Sequence, residues 1–139
     1  MSSDPEVNRY IPIAHVPTLE STNRWIELAI EEEELESFSV WPVIRKDSSL
    51  LIGRCGLHRM ENGDVEVAWI FARDQWGSGY ATEAARAAID YGLRVMKMER
   101  LIALVAPLNS SSVAVAHRCG MRFDCVVRAY KRELLRYTT

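Results

Sequence analysis

The stretch that most constrains this fold is a glycine-rich turn between a strand-like run and a helix-like run. The turn, Gln75-Trp76-Gly77-Ser78-Gly79, follows the strand-like residues 65–71 and opens an apolar-periodic stretch that continues to about Met96. Glycine at positions 77 and 79 removes side chains where a ligand has to approach the backbone closely. The first N–H groups of a helix have no partner within it, and the helix dipole favours negative charge there. The turn therefore predicts a site for a pyrophosphate group.

The two best-known phosphate-binding loops do not fit this turn. A P-loop needs Lys followed by Ser or Thr after its last glycine, whereas Gly79 is followed by Tyr80 and Ala81. The dinucleotide fingerprint needs Gly or Ala at its sixth position and an acid after the next strand. Here the sixth position is Thr82, and the nearest acid, Glu99, precedes that strand. From these residues alone, a structural turn that binds no ligand stays an open alternative.

The composition of the 139-residue chain predicts one globular domain spanning residues 1–139 and excludes several classes of function. Apolar residues make up 48% and charged residues 26%, values typical of globular proteins. A net charge of −2 provides no basic field for nucleic acid or an anionic membrane, and no run is apolar enough to span a membrane. Three cysteines, an odd number without CxxC spacing, predict reduced thiols in the cytoplasm and no metal site.

Hydrophobic periodicity predicts an α+β domain with a mixed, mostly antiparallel sheet flanked by helices. Three strands joined by tight turns, one carrying the hairpin signal Asn62-Gly63, must be antiparallel. Pro42 marks the first of them as an edge strand or a bulge. The strand after the long helix should run parallel to the strand before it. The predicted order is a helix from Thr18 to about Glu34, strands 38–45, 50–60 and 65–71, a helix 79–96, a strand 101–105, a helix 109–118 ended by Gly120, and strands 123–127 and 133–137.

Some polar residues outside the turn have two interpretations each. The acidic run Glu31 to Glu34 is either a solvated helix face or a charge that attracts an amino-bearing substrate. His58 and His117 are each isolated in the sequence, and an isolated histidine is more often structural or exposed than catalytic. Cys119 qualifies as a nucleophile only if it has a basic partner in a cleft, and the sequence shows none.

Two motifs resemble a known family. Gln75-x-Gly77-x-Gly79-x-Ala81 resembles the acetyl-CoA-binding motif of the GNAT N-acetyltransferases. The run 76–84, followed by Asn109-x-x-Ser112 and Cys119-Gly120-Met121-x-Phe123, resembles the branch that acetylates the N-termini of ribosomal proteins. The resemblance extends from about Asp4 to Tyr137. It implies a three-layer GNAT fold, from which this sequence is expected to lack the family's first strand. A shortened sequence, a trimmed lineage and a strand supplied by a neighbouring subunit in a homodimer are the open alternatives.

The resemblance implies that acetyl-CoA is the cofactor and identifies the groups that would hold it. Backbone groups of Trp69, Ile70 and Phe71 would pair with the pantetheine arm, and one N–H there would polarise the thioester carbonyl. The Asn109 amide would bond the pantetheine amides, and its alternative role is to cap the helix that follows. The pyrophosphate would be held by backbone groups of Trp76, Gly77, Ser78, Gly79, Tyr80, Ala81 and Thr82.

The resemblance also implies two catalytic side chains. Glu66, on the strand that enters the glycine turn, is the candidate general base, and burial between Val65 and Val67 would raise its pKa. The alternative is a polar residue of an alternating strand that faces water. Ser112 is the candidate acid for the departing thiolate, because Ala116 occupies the position where many GNAT enzymes have tyrosine. Tyr130 and Arg128 are weaker candidates for contact with the acceptor.

The resemblance implies an enzyme that moves acetyl from acetyl-CoA to a primary amine by direct attack on the thioester. The acceptor would be a protein N-terminal amine or a small-molecule amine. The alternative is a non-catalytic acyl-CoA-binding or interaction module that has the same fold. The intact glycine turn, Asn109 and Ser112 favour the enzyme, whereas Ala116 and the expected absence of the first strand favour the module.

Overall fold

The computed structural model describes residues 19–139 of the chain. The predicted helix start at Thr18 and the expected absence of a first strand concern residues outside this range. The elements are helix α1 (Leu19–Glu36), strands β1 (Val40–Ile44), β2 (Leu51–Arg59) and β3 (Val65–Phe71), a short 3₁₀ turn (Arg73–Gln75), helix α2 (Tyr80–Asp90) continued by a π-helical turn (Tyr91–Val95), strand β4 (Ile102–Val105), helix α3 (Ser110–Arg118), and strands β5 (Arg122–Ala129) and β6 (Arg132–Thr138).

The six described strands form one mixed sheet in the order β1-β2-β3-β4-β6-β5. Every pairing is antiparallel except that of β3 with β4. The parallel pair follows from the connection, since α2 carries the chain back over the sheet between the two strands. The predicted α+β class, with a mostly antiparallel sheet flanked by helices, is confirmed.

The hairpin and edge signals in the sequence are both confirmed. Gly63 has a φ of 93° at the end of the β2–β3 turn, a conformation that glycine adopts without strain. β1 is an edge strand in the described sheet, and its register shifts between Val43 and Ile44, just after Pro42. A proline is tolerated there because an edge strand leaves some N–H groups unpaired.

The long helix ends in a π-helical turn rather than as a regular α-helix. The Met96 N–H donates to the Tyr91 carbonyl at 3.0 Å, one residue further than an α-helical bond. Gly92 sits inside this turn, and a Cβ there would lie 2.9 Å from Leu101 Cδ1 and 3.2 Å from Leu57 Cδ1. The glycine therefore lets the end of the helix pack closely against two core leucines.

Helices cover both faces of the sheet. Ala85, Ala88 and Ile89 of α2 join the core that includes Leu57 and Val67. The opposite face is reached by α1, whose side chains contact Arg54 and His58 of β2. No helix within residues 19–139 has both the length and the apolar character needed to cross a membrane.

Candidate active site

A cleft opens where β3 and β4 separate. The two parallel strands form one ladder pair, Glu66 with Ile102. Beyond it, the C-terminal parts of both strands line a cavity of about 1150 Å³, together with α1, the glycine turn and the first turn of α3. A parallel sheet that opens in this way leaves strand backbone available to a bound ligand.

The backbone of β3 presents polar groups to this gap. The Ala72 N–H donates to the Ile52 carbonyl at 2.9 Å, across the β2–β3 ladder. Because alternate residues of a strand direct their peptide groups to opposite neighbours, those of Ile70 face β2, whereas those of Trp69 and Phe71 face the gap. The Phe71 carbonyl already accepts from Trp76 Nε1 at 2.9 Å. The N–H groups of Trp69 and Phe71 and the Trp69 carbonyl therefore remain for a ligand, while Ile70 lines the cleft.

The glycine turn exposes the N-terminus of α2 to the same cleft. Gly77 and Gly79 both have a φ of 80°, and a Cβ at either position would meet no atom of residues 19–139 within 4 Å. The first intrahelical bond runs from the Glu83 N–H to the Gly79 carbonyl. The preceding N–H groups therefore have no partner within the helix. The cleft is lined by Trp76, Gly77, Gly79, Tyr80, Ala81 and Thr82, whereas Ser78 is exposed and does not line it.

Two arginines that the sequence analysis did not single out also line the cleft. Arg86 lies on α2 two helical turns after Gly79, and its Nη2 donates to the Arg118 carbonyl at 2.7 Å. Arg118, at the end of α3, completes a positively charged border. The sequence signal for Arg86 was its spacing of seven residues from Gly79, because residues seven apart lie on the same face of a helix.

Asn109 caps α3 and borders the cleft. Its Oδ1 accepts from the Ser112 N–H and from Ser111 Oγ, both at 3.1 Å. Its side-chain amide nitrogen has no hydrogen bond to any residue in the described range, and both Asn109 and Ser112 line the cleft. The capping role and the predicted ligand role can therefore coexist, since each uses a different atom of the amide.

Two substitutions at this position separate the two roles. Asn109→Asp keeps a good cap but replaces the NH₂ donor by an acceptor, so we expect an unchanged melting temperature and at least a tenfold loss of acetyl-CoA affinity. Asn109→Ala should lose both the ligand contact and about 1 kcal/mol of stability. Calorimetric titration and thermal unfolding measure the two effects. Full acetyl-CoA affinity in Asn109→Asp would exclude a ligand role for the amide nitrogen.

Glu66 lies where β3 and β4 form their ladder pair, just before the two strands separate, and its side chain does not face bulk water. Its side chain is buried, with 9% of the residue's surface exposed, and it lines the cleft. Burial raises the pKa of this carboxyl to about 7, against the smaller lowering effects of His58 and of a hydrogen bond from Tyr130. A carboxylate with this pKa is half ionised at neutral pH, which suits a general base.

A histidine and a second carboxylate stand beside Glu66. His58 is the cross-strand neighbour of Glu66 in the β2–β3 ladder. Its Nδ1 lies 3.1 Å from Oε1 and 3.2 Å from Oε2 of Glu32, which also accepts from the Arg59 N–H at 3.0 Å. Glu32 and His58 both line the cleft, whereas the other members of the acidic run, Glu31, Glu33 and Glu34, are exposed and do not.

Tyr130 reaches Glu66 from a strained turn. The hydroxyl donates to Glu66 Oε1 at 3.3 Å. Tyr130 and Lys131 have φ values of 51° and 62° and form the two-residue turn between β5 and β6, at some cost because neither is glycine. Burial and the neighbouring carboxylate raise the pKa of Tyr130. Arg128 stabilises this turn, because its Nη2 donates a hydrogen bond to the Lys131 carbonyl at 3.4 Å.

The remaining histidine and cysteine candidates have structural contacts. His117 packs edge-on against Tyr137, with ring centroids 5.3 Å apart. Cys119 Sγ contacts the Thr82 carbonyl at 3.7 Å, and burial raises the pKa of its thiol, which disfavours the nucleophilic thiolate. Within residues 19–139 no group of His, Cys, Asp and Glu side chains is arranged to hold a metal ion.

The split sheet, the glycine turn and the buried carboxylate are the features that the family resemblance led us to expect. Residues 1–122 match the family model described as an acetyltransferase (GNAT) domain. The chain therefore belongs to the GNAT acetyltransferase family. It is 32% identical over 138 residues to the uncharacterized protein YkkB of Bacillus subtilis, covering 97% of this chain and 79% of that protein. The uncharacterized N-acetyltransferase p20 of Bacillus licheniformis is 30% identical over 133 residues, covering 94% and 74%.

Solved structures share the fold. A GNAT-family acetyltransferase from Bacillus anthracis is 29% identical and aligns with a TM-score of 0.80 over 99% of this chain and 81% of that chain. More distant structures are a ribosomal-protein-S5-alanine acetyltransferase from Vibrio fischeri (16% identity, TM-score 0.77) and a spermidine N-acetyltransferase from Vibrio cholerae with CoA and spermine (18%, 0.77). Each of these two alignments covers 99% of this chain and 84% of the other chain. At such identities they show the fold alone.

Proposed function

We propose that this protein is an N-acetyltransferase that moves the acetyl group of acetyl-CoA to a primary amine by direct attack. The observation that carries the proposal is Glu66, a buried carboxylate with a pKa of about 7 at the head of the gap between β3 and β4. A base that is half ionised at neutral pH is suited to deprotonating an amine in the transition state. A cytoplasmic location is part of this proposal, and it is supported by three cysteines that form no disulfide with one another.

Acetyl-CoA fits the polar groups of the cleft, and it would supply the activated acetyl group as a thioester. The N–H groups at the start of α2 suit the pyrophosphate, with Arg86 and Arg118 as nearby positive charges. The Asn109 amide nitrogen and the gap-facing backbone of β3 suit the amide groups of the pantetheine arm. The Trp69 N–H is the candidate donor to the thioester oxygen, where negative charge develops during attack.

The proton balance uses two side chains. Glu66 accepts the proton that the attacking nitrogen loses, directly or through one water, while Tyr130 holds one carboxyl oxygen in place. Bound acetyl-CoA would supply the acetyl group and leave as the CoA thiolate when its C–S bond breaks. Ser112, which lines the cleft at the start of α3, is the candidate group to hydrogen-bond the departing sulfur and to relay a proton to it from solvent water, so that the hydroxyl ends the step protonated.

Two acceptor classes are considered for this site, a protein N-terminal amine and a small-molecule amine. Enzymes of the same fold are named for both, a ribosomal-protein-S5-alanine acetyltransferase and a spermidine N-acetyltransferase. The sequence motifs of the 76–84 run and Asn109-x-x-Ser112 resemble the ribosomal-protein branch. Glu32 and Glu66 give the acceptor side negative charge, which either class of amine would match. A homodimer remains our proposal for the assembly.

A panel experiment tests the proposed function. The purified protein is incubated with acetyl-CoA and single amines, including N-terminal peptides and polyamines, while mass spectrometry follows acetylated product and a thiol reagent follows CoA release. We expect stoichiometric amide product and CoA with at least one amine. If acetyl-CoA binds but no amine in the panel is acetylated, a non-catalytic acyl-CoA-binding module becomes the better account.

A further inference from the structure

Arg54 is a basic side chain on the acceptor side of the cleft. It lies on β2 opposite Ile70 of β3, on the same sheet face as His58 and Glu66, because residues two or four apart share a face. It lines the cleft, and its guanidinium lies 4.3 Å from the centroid of the Trp25 ring on α1. Stacking on an aromatic ring fixes the plane of the guanidinium and leaves its N–H donors free at the edge.

This arginine has no carboxylate partner in the part of the chain that the structure describes. By contrast, Arg45, Arg59, Arg100 and Arg136 each form an ion pair with an aspartate or glutamate. Burial lowers the pKa of Arg54, which is the sign of a charge that lacks compensation. A desolvated guanidinium without an anion is costly, so its presence in a ligand-sized cleft calls for an anion from the ligand.

The cleft is therefore polarised along the sheet. Glu32 and Glu66 stand at the His58 end, and Arg54 stands four residues further along β2, roughly 13 Å away at the strand rise of an extended chain. The length of the arginine side chain shortens the distance that a ligand has to span. An acceptor with an amine at one end and an anion several bonds away would meet complementary charges at both ends.

We propose that the acceptor is a primary amine that also carries a carboxylate or phosphate group, which Arg54 binds while Trp25 orients the guanidinium. This inference rests on the proposed acetyl transfer and adds a specificity determinant to it. Arg is suited to the role because its planar fork binds either anion through two parallel hydrogen bonds. The Trp25 ring limits the side chain to a small range of orientations.

Matched pairs of acceptors test this assignment. Linear amino acids from 3-aminopropanoate to 6-aminohexanoate are compared with their neutral amides, and glucosamine 6-phosphate with glucosamine, in wild type, Arg54→Met, Arg54→Lys and the control Arg94→Met. Arg94 is exposed on the π-helical turn that continues α2, and within residues 19–139 its ion-pair partner is Asp90. We expect kcat/KM for the anionic member of at least one pair to exceed that for its neutral counterpart about tenfold. That ratio should approach one in Arg54→Met, recover partly in Arg54→Lys and stay unchanged in Arg94→Met. The amino acid and sugar arms distinguish carboxylate from phosphate.

Three results would overturn the assignment. Equal use of charged and neutral members by the wild type is one, and an unchanged ratio in a folded Arg54→Met variant is another. Loss of acetyl-CoA affinity in Arg54→Met, without a change in acceptor preference, would assign Arg54 to the cofactor. Failure of every amine, although acetyl-CoA binds, would instead refute the acetyl transfer itself, so the two failures are distinguishable.

Discussion

Glu66→Gln should lower kcat/KM for the acceptor amine by about 10²- to 10⁴-fold, the range typical for removing a general base. The amide has the same shape and can still accept the hydrogen bond from Tyr130, but it cannot take a proton. The KM for acetyl-CoA should change little, because the groups proposed to hold the cofactor are elsewhere. Initial rates of acetyl-amine formation at saturating acetyl-CoA measure the loss.

Two comparisons keep this result interpretable. Glu31→Gln removes a carboxylate from an exposed position of α1 and should leave the rate unchanged. Glu66→Gln should also be at least as stable as wild type at pH 8. Folding raises the pKa of Glu66 from 4.5 to about 7, so its ionisation destabilises the folded state increasingly between these pH values, and the full cost is present at pH 8. A folded Glu66→Gln variant with wild-type kcat/KM would refute the role of Glu66 as base.

Gly79→Asp should abolish measurable acetyl-CoA binding, with an expected loss of about 100-fold or more in affinity. The new carboxylate would stand at the cap of α2, where the unpaired N–H groups attract the pyrophosphate, and it would both occupy and repel that site. The space at this position is open, since a Cβ at Gly79 would meet no atom of the described residues within 4 Å. The substitution therefore acts on the ligand more than on packing.

Gly63→Asp is the matched control for this substitution. Gly63 has a similarly positive φ of 93° and an equally open Cβ position, but it lies in the β2–β3 hairpin and does not line the cleft. Both variants should therefore lose a similar amount of stability, on the order of 1 kcal/mol for an aspartate at positive φ. Calorimetric titration should show normal acetyl-CoA affinity in Gly63→Asp. Equal affinities in the two variants would mean that the glycine turn is structural.

Elements whose signals are local could be predicted from the sequence. The structure gives β3 the predicted bounds, 65–71, because its apolar and β-branched residues and the flanking turns specify a strand without reference to the rest of the chain. The Asn109 cap and the left-handed Gly120 at the ends of α3 follow from equally local rules. The glycine turn was predictable for the same reason.

The contacts on the acceptor side of the site could not be predicted from the sequence, because they depend on strand register and on tertiary packing. An Asn-Gly pair alone favours a two-residue turn, which would pair Arg59 with Glu66, but the observed loop has one more residue and pairs His58 with Glu66. Tyr130 reaches Glu66 through a turn that has neither glycine nor asparagine, so no turn signal marked it. The Trp25–Arg54 contact joins a helix to a strand 29 positions away, and no local pattern reports such a contact.

The most direct test of the account is the pH dependence of wild-type kcat/KM, measured with two acceptors whose amines differ in pKa. Activity requires ionised Glu66, so the rate should rise with pH through a limb centred at about 7. That limb should have the same midpoint with both acceptors, separate from the limb of each amine, and it should be absent from the residual activity of Glu66→Gln. A profile that follows only the amine, or a limb near 7 that persists in Glu66→Gln, would contradict the assignment of Glu66 as the general base.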